Sequence, residues 1–140
     1  MYHHNQKNNQ KLDYIARYCL LITSIMFWIT SVKDHTNPIF WTSRLVSVCS
    51  FLNYITYKND SRGCIGQFDA IVVKISGLHF LFHISHEYLF LTRELDSYKI
   101  LNLLVGFSVG PIYLLRPHPN YQIFVHAAAL IALSMYSSLI

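Results

Sequence analysis

Apolar residues along the chain form five long runs separated by short polar segments. The runs cover residues 15–32, 39–57, 70–91, 100–115 and 121–140. An α-helix of about 20 apolar residues crosses the hydrocarbon core of a bilayer, and the runs are close to that length. The pattern therefore predicts an all-α fold, a polytopic membrane helix bundle of about five transmembrane helices.

The first 13 residues differ from the rest of the chain. They are rich in Asn, Gln, Lys and His and contain no apolar run. Such a composition cannot bury enough apolar surface to offset the entropy of ordering. We expect residues 1–13 to be a disordered polar tail and residues 14–140 to form a single transmembrane domain.

The third run carries a line of polar and ionisable residues. At 3.6 residues per turn they fall within about a third of the helix circumference. The remainder of the helix is apolar and suits lipid or packing. Ionisable groups inside a membrane are costly, so this stripe is the candidate for chemistry. It consists of Asp69, Ser76, His79, His83, His86 and Glu87.

The second run carries hydroxyl groups at intervals of three and four residues. Hydroxyls on a membrane helix usually bond their own backbone or a neighbouring helix. We interpret them as one side of a polar seam whose other side lies on the third helix, with a cavity wall as the functional alternative. The predicted seam contains Ser43, Ser47, Ser50, Tyr54, Ser76, His86 and Glu87. In the fourth run, Gly106 and Gly110 form a GxxxG pattern that favours close helix packing.

Composition supports this interpretation. Only 13% of the residues are charged and 53% are hydrophobic, whereas soluble domains are usually about a quarter charged. The net charge is +4, but the Lys and Arg residues are dispersed, which argues against nucleic-acid binding. Their distribution favours an N-in, C-out orientation. A glycosylation sequon at Asn59 would then face the unglycosylated side, and the two expectations conflict.

Three interpretations of the third-helix stripe stay open. In the structural one, neutral histidines and Glu87 hydrogen-bond to other helices. In the second, zinc or haem is bound by His79 and His83, whose i, i+4 spacing puts both imidazoles on one face, with His126 and Asp69 completing a metal site. In the third, the titratable groups line a proton or ion path.

Two short segments resemble a known family. The sequences GQFDAIVVKISG, around Asp69, and NYQIFVHAAALIA, around His126, look like parts of the CREST superfamily of membrane hydrolases, the alkaline ceramidase and adiponectin-receptor group. That resemblance implies a catalytic zinc bound by a Ser-x-x-x-His, an Asp and a His-x-x-x-His on separate helices. Asp69 matches the aspartate and His126 the final histidine. Gln122 stands where the other histidine of the last pair belongs, and five spans replace seven.

From the sequence we expect an integral membrane protein that acts as a non-enzymatic structural or assembly subunit. Its partners are the lipid bilayer and other membrane subunits or copies of itself, and no cofactor is required. The alternatives are a metal-dependent membrane enzyme with zinc or haem, and a small proton- or ion-conducting protein. The compartment is not encoded in any recognisable signal.

Overall fold

The computed structural model describes the backbone of residues 2–56, 64–115 and 121–140, and the side chains of 14–56, 64–113 and 121–140. These residues form five α-helices and no strand, which confirms the all-helical prediction. Asn59 lies outside the described residues. The helices are α1 (Tyr2–Ile29), α2 (Pro38–Thr56), α3 (Cys64–His86), α4 (Ser97–Leu115) and α5 (Gln122–Leu139), with a π-helical turn at Glu87–Leu91 directly after α3.

Helix boundaries follow the breaks in the apolar pattern with two differences. Residues 2–13, for which the sequence predicts a disordered tail, form the first part of α1. Lys and Gln are good helix formers, and extending an existing helix costs far less than starting one. Helix α3 begins at Cys64, six residues before the predicted start, and its first two turns bury Gly66 and Asp69 in the bundle.

Each helix packs against the helices that precede and follow it in the chain, and α1 also packs against α5. The five helices therefore surround a common interior. Residues 30–37 and 92–96 lie at one end of the bundle, which we call the loop end. The other end, which we call the tail end, holds the last residue of α2, Thr56, and the first residues of α3 and α5, Cys64 and Gln122.

Two arginines fasten α1 and α2 to each other at opposite ends. Arg17 of α1 donates from Nε and Nη2 to the carbonyl oxygens of Tyr54 and Ile55, each at 2.6 Å. Arg44 of α2 donates from Nη1 to Ser31 Oγ at 3.0 Å, just after α1 ends. The last carbonyls of a helix have no partner within the helix and carry a partial negative charge, so a guanidinium stabilises them.

Polar and apolar side chains are distributed in an unusual way. Ten polar side chains are buried among the described residues, whereas large apolar side chains are exposed on every helix. On α3 the exposed apolar residues include Phe68, Ile71, Ile75, Leu78 and Phe82. A soluble protein exposes few contiguous apolar residues of this size. The bundle is apolar on the outside and polar at many interior positions.

In the part of the chain that the structure describes, two helical segments are long and apolar enough to cross a membrane, Cys64–Leu91 and Gln122–Leu139. The apolar part of α1, Tyr14–Ile29, is shorter. Length and composition alone therefore support two of the five predicted spans, and this support is weak because the core helix of a soluble protein passes the same test. The five-span arrangement stays a prediction.

Candidate functional site

The hydroxyl of Tyr136, on α5, is the centre of a polar group at the loop end. It donates to Glu87 Oε2 at 2.9 Å and accepts from Asn37 Nδ2 at 2.9 Å. His83 Nε2 lies 2.8 Å from the same oxygen. Because the hydroxyl has one hydrogen and gives it to Glu87, His83 must carry a hydrogen on Nε2 to bond here. We call these four residues the Tyr136 cluster.

The π-helical turn positions Glu87 within this cluster and Tyr88 beside it. The amide of Thr92 donates to the carbonyl of Glu87 at 3.0 Å, five residues earlier, which widens the helix at this point. Glu87 then reaches Tyr136 and also lies 3.4 Å from His83 Nε2. Tyr88 is buried beside them, and Asn102 of α4 donates to its hydroxyl at 3.2 Å.

The three histidines of the α3 stripe have different surroundings. His79 is half-buried and stacks on His83 with ring centroids 6.2 Å apart. Its Nδ1 is buried and has no hydrogen-bond partner among the described residues. His86 lies on the exposed side of α3, where its ring stacks between Phe82 and Phe90. The stripe is therefore divided between the interior and the outer surface.

Asp69 belongs to a second polar group, about 21 Å along α3 from His83 at 1.5 Å per residue. Ser50 donates to its Oδ1 at 2.7 Å, and Asn53 donates from Nδ2 to its Oδ2 at 2.9 Å. Asp69 is 4% exposed, so a buried carboxylate is solvated by α2 in place of water. We call these three residues the Asp69 cluster.

His126 lies in a third group, between α1 and α2. Its Nδ1 is 2.8 Å from Thr23 Oγ1, and its ring contacts Phe27 and Tyr54 with centroid distances of 5.5 and 5.8 Å. Gln122, one turn earlier on α5, is also buried, and its Nε2 has no partner among the described residues. This group and the Asp69 cluster both border the last two turns of α2.

The hydroxyl groups of the α2 stripe form hydrogen bonds on both sides of α2, towards α1 and towards α3. Ser47 donates to the carbonyl of Ser24 at 2.6 Å and so joins α2 to α1, and Ser43 hydrogen-bonds to the hydroxyl of Ser31, just after α1 ends. Ser50 bonds to α3, through the carboxylate of Asp69. Ser76 of α3 is buried. The predicted seam members therefore lie along three helix interfaces, because Glu87 bonds to Tyr136 of α5, and His86 lies on the exposed side of α3.

The four predicted metal ligands do not converge on one point. Asp69 belongs to the Asp69 cluster, His126 bonds to Thr23, and only His79 and His83 are neighbours. In the part of the chain whose side chains are described, no three His, Cys, Asp or Glu residues are close enough to hold a metal ion. Zinc needs three or four such ligands, so this arrangement does not fit a zinc centre.

No family model, no curated protein and no solved structure matches the chain. The resemblance to the CREST superfamily therefore rests on the two short segments. Of the residues that carry it, Asp69 and His126 both lie beside the end of α2, and Gln122 precedes His126 by one turn.

Several members of these groups were not identified from the sequence. Tyr136 lies in a run with no charge, and Asn37 lies in a short loop, so neither stands out. Thr23 lies in an apolar run in the same way. Asn53 is the exception, because it lies three residues after Ser50 on the same helix face, and that spacing could have added it to the hydroxyl stripe.

Proposed function

We propose that the chain is a multi-pass integral membrane protein whose five helices cross the bilayer, and that it acts as a non-enzymatic structural or assembly subunit. The observation that carries this proposal is an apolar outer surface around an interior in which polar side chains are buried beside the apolar core. Ser24, Ser50 and Asn102 have no exposed surface, whereas Leu78 and Phe82 are 70% and 73% exposed. Lipid, and not water, is the solvent that suits such a surface.

Exposed aromatic residues at both ends support the same proposal. Trp28, Trp41 and Tyr98 lie near the loop end, and Tyr18 and Tyr121 lie towards the tail end, all of them exposed. Trp and Tyr concentrate at membrane interfaces because one part of the ring is apolar and the other can hydrogen-bond. The apolar belt between the two sets is then the part of the bundle inside the hydrocarbon core.

The internal hydrogen bonds support a structural use of the polar residues. The carboxylate of Asp69 is bonded from two sides by α2, and Glu87 is bonded by Tyr136. These bonds connect α2 with α3 and α3 with α5, so the polar residues hold helices together. A buried polar network that is well bonded specifies one packing arrangement.

Two measurements test this proposal. In the first, membranes containing the chain are extracted with alkaline carbonate, and an integral protein stays with the membrane. In the second, a photocrosslinking amino acid is placed at Leu78 or Phe82, which are exposed on α3, and at Ile84, which is fully buried, as the control. An assembly subunit gives one discrete protein adduct from the exposed positions and none from Ile84. Release by carbonate would contradict the membrane location. Adducts with lipid alone would agree with the membrane location and contradict the assembly role.

A second candidate function is proton transfer through the Tyr136 cluster. It is favoured by the contiguous chain of titratable groups, since His79 stacks on His83 and His83 bonds to Tyr136, which bonds to Glu87. In liposomes, His79→Leu is expected to abolish proton flux, while His86→Leu, on the exposed face, leaves it unchanged. Flux that persists in His79→Leu eliminates this function.

A further inference from the structure

Helices α3 and α4 touch at two separate places. Leu81 and Ile84, in the last two turns of α3, pack against Gly106 at the middle of α4, where an added Cβ would lie 3.0 Å from Leu81 Cδ2. Nearer the tail end, the ammonium group of Lys74 lies 5.6 Å from the centre of the Tyr113 ring. The two helices run in opposite directions. The residues of α3 between its two contact points therefore face the residues of α4 between the same two points.

Gly77 and Gly110 occupy those facing positions. Each lies about one turn from both contacts, Gly77 on α3 and Gly110 on α4. A Cβ added at either glycine would have no atom of the described residues within 4 Å. The helices are therefore in close contact at Gly106 and separate towards the tail end. We call the space bounded by Gly77, Gly110, Lys74 and Tyr113 the α3–α4 cleft.

Lys74 gives this cleft a positive charge that no described carboxylate neutralises by an ion pair. Among the described residues, the only ion pair joins His83 and Glu87, so no described carboxylate lies within 4 Å of the Lys74 ammonium. Its neighbours on the exposed side of α3 include Ile71, Ile75 and Leu78, all apolar. Tyr113 lies two residues before the last residue of α4, so the Lys74 ammonium lies close to that end of α4. Long cationic side chains in a membrane protein extend their charge towards the interface.

We propose that the α3–α4 cleft binds an anionic phospholipid. The phosphate contacts the Lys74 ammonium, and one acyl chain lies along Gly77 and Gly110. This inference rests on the membrane location proposed above. A helix with its side chains is about 10 Å across, which is wider than the space left by two missing side chains, whereas an acyl chain is a single file of methylene groups. The shape of the cleft therefore favours a lipid tail over a partner helix.

Native mass spectrometry of the full chain tests the proposal. The chain is purified in a non-ionic detergent and mixed with equal amounts of phosphatidylglycerol and phosphatidylcholine that carry the same acyl chains. The wild type is expected to retain one phosphatidylglycerol in preference to phosphatidylcholine. Lys74→Gln is expected to lower phosphatidylglycerol binding about fivefold, since one lysine near an anionic headgroup has an effect of that order. Gly110→Leu fills the cleft and lowers the binding of both lipids.

Lys99→Gln is the matched control. Lys99 also lies over a tyrosine ring, that of Tyr88 at 5.8 Å, but at the loop end, and its ammonium already donates to the carbonyl of Glu94 at 3.0 Å. It should retain the wild-type preference. Equal binding of the two lipids by the wild type overturns the proposal, as does unchanged binding by Lys74→Gln.

Two further outcomes separate the alternatives. Inorganic phosphate that displaces phosphatidylglycerol from the wild type would mean that the cleft recognises a free anion, and dissociation of a dimer by Gly110→Leu would mean that a second copy occupies it. Either result overturns the lipid proposal. Carbonate extraction of the wild type distinguishes failure of the lipid proposal from failure of the membrane location. A protein that stays in the membrane but shows no lipid preference contradicts only lipid binding in the cleft. A protein that is released contradicts the membrane location as well.

Discussion

The hydroxyl of Tyr136 donates to Glu87 Oε2 at 2.9 Å, which joins the last turn of α5 to the first residue of the π-helical turn. Asn37 and His83 bond to the same oxygen. Tyr136 has no exposed surface, so water cannot replace the hydroxyl if it is removed. One atom thus connects α3, α5 and the segment between α1 and α2.

Tyr136→Phe is expected to destabilise the bundle by about 1–3 kcal/mol, the usual effect of leaving buried polar groups without a partner. Chemical unfolding in detergent micelles measures this change. Tyr98→Phe is the control, because the Tyr98 hydroxyl bonds to Ser138 at the exposed surface and its loss should change stability by less than about 0.5 kcal/mol. Equal effects of the two substitutions would show that the Tyr136 cluster does not hold the helices together.

Asp69→Asn tests the second cluster. Both carboxylate oxygens accept hydrogen bonds, from Ser50 and from the amide nitrogen of Asn53. An asparagine at position 69 has only one acceptor oxygen, so its own amide hydrogens face one of these donors. We expect a loss of about 1–3 kcal/mol in the unfolding free energy. Glu94→Gln, at an exposed position, is the control and should leave the unfolding free energy unchanged. An Asp69→Asn protein as stable as the wild type would contradict a structural role for Asp69.

Gly106 and Gly110 should respond differently to the same substitution. Gly106→Leu puts a side chain against Leu81 and Ile84, and we expect a loss of stability of about 1–3 kcal/mol from overpacking. Gly110→Leu extends into open space and should lose less stability, since its cost is the contact between the new Cβ and the ring of Pro111, the next residue of the helix. Thermal unfolding of the two variants side by side measures the difference. A larger effect at Gly110 than at Gly106 would contradict the separation of α3 and α4 at the tail end.

Asp34, in the segment between α1 and α2, gives a pH dependence with a defined sign. The backbone amide of Thr36 and then its hydroxyl donate to Asp34 Oδ1, which lowers the pKa of this carboxyl below its usual value. A lowered pKa in the folded state stabilises the protein above the unfolded-state pKa, and this contribution disappears as the pH falls through the folded-state pKa. The wild type should therefore be more stable than Asp34→Ala at pH 7.

That difference should shrink below about pH 4, where the carboxyl becomes protonated. Unfolding curves of the two proteins between pH 7 and pH 2 measure it. Because Asp34 is fully exposed, solvent screens the interaction and the difference at pH 7 is small. A constant difference across this range would mean that the hydrogen bonds to Thr36 do not depend on the charge.

The helices could be predicted from the sequence because their limits are set by local chemistry. Pro38 stands at the first position of α2, where its missing amide hydrogen costs nothing. The predicted run 39–57 therefore agrees with α2 to within a residue at each end. The start of α3 was placed too late because residues 64–69 are mixed in polarity and contain no proline, so that only packing determines where the helix begins.

The partners of the polar residues could not be predicted, because they depend on which helices are neighbours. The stripe on α3 indicated that His83 faces inward, but nothing in the sequence of α5 singles out Tyr136 as its partner. The hydroxyls of α2 were expected to face α3, but Ser47 bonds to α1 and Ser43 to Ser31 just after it, since α2 lies between α1 and α3. A helix between two neighbours distributes a single stripe over two interfaces.

The contacts of Arg17 and Arg44 have a consequence for how the chain is assembled during synthesis. Both join residues within the first 56 positions, so every group that they need is present before α3 is made. The α1–α2 hairpin can therefore close its ends while the ribosome is still adding the rest of the chain. Because folding during synthesis proceeds from the N-terminus, the later helices can pack against an α1–α2 hairpin that has already formed.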